Sequence, residues 1–282
     1  MNNKNTPINI PIEKLHPFEG HPFRVLDNEE MNQLTQSIQE LGILSPLIVR
    51  PKENTADEYE IVSGHRRFRA TVKAGMREVP AFVVPMDRDA AAIALVDSNL
   101  HREHLMPSEK AFAYKLKMDA MRHQGTSCQV GTKFRSDEQL AENTSDSARQ
   151  IQRYIRLTYL IPELLQKVDE GQIAFTPAVE LSYLTEQEQH TLLLEMEYAD
   201  CTPSLSQAIR LHRFSQEGRL NGDVAYAVMR EEKDNQKEKL KIPAERVRKF
   251  FPKEYTAAQM EEEIVKMCES RYRKRQRDRD SR

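Results

Sequence analysis

Tryptophan is absent from this chain, and only three cysteines and nine glycines occur among its 282 residues. The cysteines, Cys128, Cys201 and Cys268, are far apart and odd in number, with no Cys-x-x-Cys pair and no Cys/His ligand spacing. That argues against a disulfide framework or a zinc site and fits a reducing cytoplasm. Long hydrophobic runs are missing too: the longest unbroken one, Ala90 to Val96, is far too short to cross a bilayer. Met1 to Pro7 lacks the apolar stretch of a signal peptide, so the expectation is a cytoplasmic protein with no membrane partner. Nor is there an excess of positive charge, since 42 Lys and Arg against 44 Asp and Glu leave a net charge of −2. No global basic field announces nucleic acid, and any such footprint has to be local.

What is present is charge: 30% of residues are charged, 39% are hydrophobic and the mean hydropathy is −0.70, which suits a helix-rich protein with many exposed polar faces. The pattern along the chain changes once. Up to about residue 84, short strands interleave with two helices. Ile8, Ile10 and Ile12 alternate as in a strand, Leu47 to Val49 and Tyr59 to Val62 read as further strands, and Val79 to Val84 closes the set. Asp27 and Glu30 form an Asp-x-x-Glu capping pattern ahead of Met31, Leu34, Ile38 and Leu41, which line one helical face. Beyond about residue 87 helical signals take over, with Pro107 starting a helix, residues 122–135 reading as a loop or hinge, and capping boxes at Thr185/Glu188, Ser204/Gln207 and Thr256/Gln259. The expected organisation is an α+β domain over 8–100, an all-α domain over 105–218, a charged linker over 219–239 and a strand–helix segment over 240–282. Eight Lys/Arg against three Asp/Glu follow from Lys266 to the end, a basic tail that is either a phosphate-binding arm or a soluble helix end.

Three stretches carry chemistry. The first is Ser63-Gly64-His65-Arg66-Arg67-Phe68-Arg69-Ala70, where a strand passes through a Ser-Gly turn into a helix opening on two arginines. Free N–H groups at a helix start, the positive end of its dipole and arginine forks together suit an anion, and Gly64 lets a phosphate approach the backbone. A solvated arginine face on an ordinary helix is the plain alternative. The second is Asp97-Ser98-Asn99-Leu100-His101-Arg102, followed by Leu105-Met106-Pro107-Ser108-Glu109, in which Asp97 and Asn99 offer oxygen to a hard cation or hydrogen bonds to a sugar or base. A polar cap between two helices is the plainer reading of these residues alone. The third, 137–158, has the layout of a helix-turn-helix, with Ser145 where a glycine is common. On its second helix Ser147, Arg149, Gln150 and Arg153 fall on the polar side, Arg and Gln being suited to guanine and adenine edges, while Arg156 lies a turn further on and suits phosphate. A helical hairpin with no role in DNA binding is the alternative there.

Taken in order, these stretches resemble the ParB-type plasmid and chromosome partition proteins. Gly64-His65-Arg66-Arg67-Phe68-Arg69-Ala70 is similar to that family's Gly-Glu-Arg-Arg-x-Arg-Ala box, and Ser98 to Arg102 to its Glu-Asn-Leu-x-Arg box. Gly42-Ile43-Leu44-Ser45-Pro46-Leu47 and His21-Pro22-Phe23-Arg24 resemble two further segments of the family, and the likeness extends over about residues 8–185. The resemblance implies a ParB/sulfiredoxin-like α+β domain, then a helix-turn-helix domain. It implies binding to a palindromic site on double-stranded DNA as a homodimer, CTP with Mg²⁺ in the N-terminal domain gating a DNA clamp, and a ParA-type ATPase as partner. Carried over, Arg24, Gly64, Arg66 and Arg67 face the nucleotide phosphates, Ser63 and His65 flank them, and Asn99 lies near the metal or phosphates.

Two departures stand out: His65 and Ser98 replace glutamates that look like magnesium-site residues in nucleotide-binding members of the family. A histidine nitrogen is a poor substitute for oxygen at Mg²⁺, and Asp97, offset by one residue, points about 100° away on a helix. The metal ligands are therefore left unassigned. Three readings follow: nucleotide binding with altered metal use, His65 then meeting phosphate, and at most weak triphosphatase activity; a nucleotide-independent helix-turn-helix DNA binder or regulator; or a ParB-like enzyme such as a kinase or nuclease. Sulfiredoxins share the related fold, but their cysteine before the histidine is Gly64 here.

Overall fold

The computed structural model describes residues 6–55, 57–102, 104–127, 140, 144, 146–231, 247–252 and 255–280, in two compact units that divide after Glu231. The first unit opens with a five-stranded mixed sheet of β1 (Ile8–Pro11), β2 (Leu15–Pro17), β3 (Leu47–Pro51), β4 (Tyr59–Ser63) and β5 (Glu78–Val83). Its spatial order is β1-β5-β3-β4-β2, antiparallel at β1/β5 and β3/β4 and parallel at β3/β5 and β2/β4. Val49 opposite Ile61 and Ile10 opposite Val79 fix the register, and all four are buried with Leu15, Leu47 and Ala81. Glu60 is buried in mid-strand because Arg50, also buried, meets it at 2.7 Å and the Glu19 amide donates to its other oxygen at 3.0 Å. A buried charge is tolerated only when paired in this way.

Two helices cover this sheet. α1 (Glu29–Leu41) buries Met31 and Ile38 against Ala70 of α2 (His65–Lys73), while Leu41, expected on the same face, is exposed at its end. The cap of α1 also departs from the expected one. Asn28, not Asp27, accepts the Met31 amide at 3.1 Å, because Asp27 is drawn away by Arg69 at 2.7 Å. α2 begins at Gly64, whose φ of 107° lies where side chains are strained; a Cβ there would meet Leu47 Cγ at 3.0 Å.

Helices follow: α3 (Arg88–Asn99), α4 (Pro107–Ser127), α5 (Ala148–Arg156), α6 (Pro162–Asp169), α7 (Phe175–Leu181), α8 (Glu186–Ala199), α9 (Leu205–Gln216) and α10 (Gly222–Arg230). The architecture is thus an α+β domain succeeded by an all-α one. α3 and α4 pack on Phe18, Phe23 and Val62 of the sheet side, and α6 to α10 share a second core around Leu164, Leu181, Leu192 and Leu211. Both capping boxes expected at Thr185 and Ser204 form.

Two expected boundaries shift. α4 stays helical through Ser127, so the expected loop at 122–135 has no counterpart over 122–127, and residues 128–135 lie outside the described ones. Residues 222–230, expected inside a charged linker, form α10, whose Ala225, Val228 and Met229 are buried in the helical core. The Gln207 amide reaches the Val228 carbonyl at 2.8 Å, which ties the helix down. The remainder of that linker, 232–239, lies outside the described residues, as does the strand expected from Leu240 to Val247 except its last residue, Val247, which is helical. In the second unit, Thr256 and Gln259 cap α11 (Ala257–Asp280) as the pattern predicts, and Met260 is buried. No helix among the described residues is long and apolar enough to cross a membrane.

Candidate nucleotide cavity and DNA-facing helix

The N-terminus of α2 opens beside a cavity of about 570 Å³. Arg24, Arg66 and Arg102 line it together with Glu30, Glu109, Asn28, His101 and His104, three guanidinium groups against two carboxylates; Leu26, Leu105 and Met106 give it an apolar part. Arg66 reaches the cavity from the first turn of α2 and pairs with Glu30 at 2.9 Å. Arg102 is exposed, with its guanidinium 5.6 Å from the Phe23 ring centroid; desolvation, then the Arg66 charge, lowers its proton affinity. Arg24 enters from the segment before α1. Its backbone N–H donates to Glu109 Oε1 at 2.7 Å and its guanidinium to Asp169 Oδ2 at 3.0 Å. Asp169 closes α6, and its carboxylate is almost fully buried, accepting as well from the Ser108 amide at 3.0 Å and hydroxyl at 2.6 Å. The cavity is thereby tied to the helical domain through one shared arginine.

His65 occupies the first position of α2. Its ring lies 3.8 Å from that of His21, and its Nε2 sits 3.3 Å from the Phe18 amide. An amide has only a hydrogen to give, so Nε2 is the acceptor and Nδ1 carries the proton. Burial foremost, then His21 and Arg102, pushes the His65 pKa down to about 3, and burial pushes that of His21 down as well. The ring is therefore a neutral donor at the positive end of a helix.

The expected nucleotide residues divide in this setting. Arg24 and Arg66 line the cavity, whereas Ser63, Gly64 and His65 form the β4–α2 turn just before Arg66 and are not among its lining residues. Arg67, expected at the phosphates, instead donates to the Ser45 carbonyl and, at 2.8 Å, to that of Pro46. Asn99, expected near metal or phosphate, is buried, with its amide donating to Leu95 O at 2.7 Å and Ser98 Oγ at 3.2 Å. Asp97 is paired with the buried Lys117. Sequence reasoning missed Arg102, Glu109 and Asp169 as site residues. The first two stand in the quoted boxes and were available as signals; Asp169 carries no local mark, because only the packing of α6 against α4 brings it there.

A divalent cation does not fit this donor set. Among the described residues no three His, Cys, Asp or Glu converge, Glu109 already accepts two backbone N–H groups, and His65 Nε2 has committed its lone pair. No step is derived through a metal.

The second candidate surface is α5. Ser147 caps it, its hydroxyl accepting the Gln150 amide at 3.3 Å. Ile151 is fully buried with Tyr114, Met118 and Leu140, so the opposite face turns outward, and Arg149 is exposed on it. Arg153 bridges to Gln150 Oε1 at 3.2 Å and Thr176 at 2.9 Å, with its guanidinium 4.9 Å from the Phe175 ring. Arg156, expected at phosphate, is drawn inward. It donates to the Ser182 carbonyl at 2.7 Å and lies between Tyr183 and Tyr159, at 4.0 Å and 4.5 Å from the ring centroids. Of the preceding helix and turn, only Leu140, Thr144 and Asp146 are described; Asp146 accepts from Tyr114 at 2.6 Å. Ser145 and the rest of that segment lie outside the described residues.

The ParB N-terminal domain family matches residues 1–100. The chain is 34% identical over 167 residues to the chromosome-partitioning protein Spo0J of Thermus thermophilus, covering 59% of this chain and 56% of that protein. It is 33% identical over 192 residues to the nucleoid occlusion protein of Listeria innocua, covering 67% and 62% respectively. It thus spans about six-tenths of the length of these curated relatives. Among solved structures it is similar to the C-terminally truncated chromosome-partitioning protein ParB of Caulobacter crescentus. Complexed to the centromeric parS site, that protein is 25% identical with a TM-score of 0.43, over 79% of this chain and 98% of that one. Complexed with CTP-γ-S, it is 29% identical with a TM-score of 0.32, over 64% and 93%.

Proposed function

We propose that this chain, which belongs to the ParB-type partition proteins, is a site-specific DNA-binding partition protein whose N-terminal cavity takes CTP and so gates its hold on DNA. The observation that carries this is the single arginine, Arg24, which lines the phosphate-type cavity and is also gripped by Asp169 of the helical domain. A ligand that draws Arg24 away weakens that grip, which is what coupling between a nucleotide and a DNA-binding domain requires. On the DNA side, exposed Arg149 and the Gln150/Arg153 pair present donors suited to base edges in the major groove.

A palindromic site read by a homodimer follows from two-fold logic, and a ParA-type ATPase and a nucleoid-associated location rest on family membership alone. A second reading, DNA binding without nucleotide, is favoured by the inward commitment of Arg67 and Asn99. Selection of binding sites from random duplex DNA, followed by calorimetry with CTP, ATP and GTP in the presence of the selected site, separates the two. Expected are an enriched palindrome, a loss of about 1–3 kcal/mol at one base position in Arg149→Ala, and heat with CTP. DNA selection without any nucleotide heat leaves the second reading, and no enriched sequence removes both.

A further inference from the structure

We infer that the cavity between Arg24, Arg66 and Arg102 binds the phosphates of its ligand without a divalent cation, His65 at the head of α2 having no lone pair left for a metal; this rests on the cavity being the nucleotide site. Three guanidinium groups line the cavity, and one of them, Arg66, stands in the first turn of the nine-residue α2, whose N-terminus has no side-chain cap. Arginine meets phosphate with two parallel N–H···O bonds, and such charge-assisted pairs are stronger than neutral ones. Arg66 and Arg102 also repel one another, and among the described residues no salt bridge holds Arg102, so an anion placed between them relieves that repulsion.

Among the described residues, the acceptors a cation needs are spent. Mg²⁺ asks for oxygen ligands in near-octahedral geometry. Among the described residues, Glu30 is paired with Arg66, Glu109 holds the amides of Arg24 and Met106, Asp97 holds Lys117, and Asp169 holds Ser108 and Arg24. His65 has its Nε2 lone pair on the Phe18 amide, leaving only the Nδ1–H. A group that offers a hydrogen suits an anion and repels a metal.

The test is calorimetry on the full chain with CTP, with and without the selected DNA, in EDTA and in excess Mg²⁺. Expected is binding in EDTA at least as tight as in Mg²⁺. His65→Glu, which places a carboxylate at the same position, is expected to bind about tenfold or more weakly in EDTA, about 1.4 kcal/mol, and to recover with Mg²⁺. His65→Asn, which keeps a donor and an acceptor without charge, retains cation-independent binding. Wild-type protein that binds CTP only with Mg²⁺ overturns the inference while the nucleotide reading stands. A His65→Glu protein that binds in EDTA as the wild type does overturns the role given to His65. No heat in either buffer, with CTP or with inorganic triphosphate, overturns the nucleotide reading itself and the inference with it. Should His65→Glu fail to fold, the wild-type comparison decides alone.

Discussion

His65 lies at the first turn of α2 with the ring of a second histidine, His21, tilted against it at 3.8 Å and the Phe18 amide on its Nε2. Burial foremost, then the neighbouring His21 and Arg102, disfavours a charged ring, which is why its pKa falls to about 3. The unfolded chain titrates near 6.5, so below that value the unfolded state binds a proton the folded state refuses. Stability is therefore full above about pH 6.5 and declines as pH falls from there towards the folded value of about 3. Urea midpoints measured across that window are expected to fall less steeply in His65→Asn than in the wild type. Parallel curves would mean that the ring is not held neutral. The same residue illustrates what a sequence can convey: the oddity of a histidine in the box was legible, but its tautomer depended on Phe18, 47 residues earlier in the chain.

Among the elements, α5 decides between two roles for one arginine. Arg156 is sandwiched by Tyr159 and Tyr183 and bonded to Ser182, which fixes the C-terminal end of the helix against α7. A lysine keeps the charge but neither stacks as a plane nor reaches both oxygens of Ser182. Arg156→Lys is accordingly expected to weaken binding to the selected DNA about tenfold with the salt dependence unchanged, because that slope counts phosphate contacts. Unchanged affinity in Arg156→Lys, with a shallower slope in Arg156→Ala, would return Arg156 to the phosphate backbone. Helix starts were legible because capping is local: Thr185/Glu188, Ser204/Gln207 and Thr256/Gln259 each close within three residues. The cap of α1 was misplaced by one residue because a distant arginine, Arg69, claims Asp27. α10 was taken for linker because its neighbours, Glu231 to Lys239, are so charged, although Val224, Val228 and Met229 stand at helical spacing.

For the molecule as a whole, the connection between cavity and helical domain passes through Asp169. Removing its carboxylate in Asp169→Ala strips the Ser108 amide and hydroxyl of their acceptor and frees Arg24. The expected outcome is a loss of about 1–3 kcal/mol in chemical denaturation, together with CTP binding tightened severalfold, since the ligand no longer competes for Arg24. Unaltered CTP affinity alongside the stability loss would separate Asp169 from the site. By itself the sequence determined the order of elements, the α+β then all-α division, and the arginine box at a helix start, because periodicity, caps and turns act over a few residues. Which arginines face the cavity was decided only by tertiary structure. Arg66 and Arg67 are adjacent on one helix, about 100° apart, so one points to Arg24 and Arg102 while the other is spent on the Ser45 and Pro46 carbonyls. Arg102 and Asp169 reach the site from 36 and 103 residues beyond Arg66, and no local pattern specifies a meeting made by packed helices.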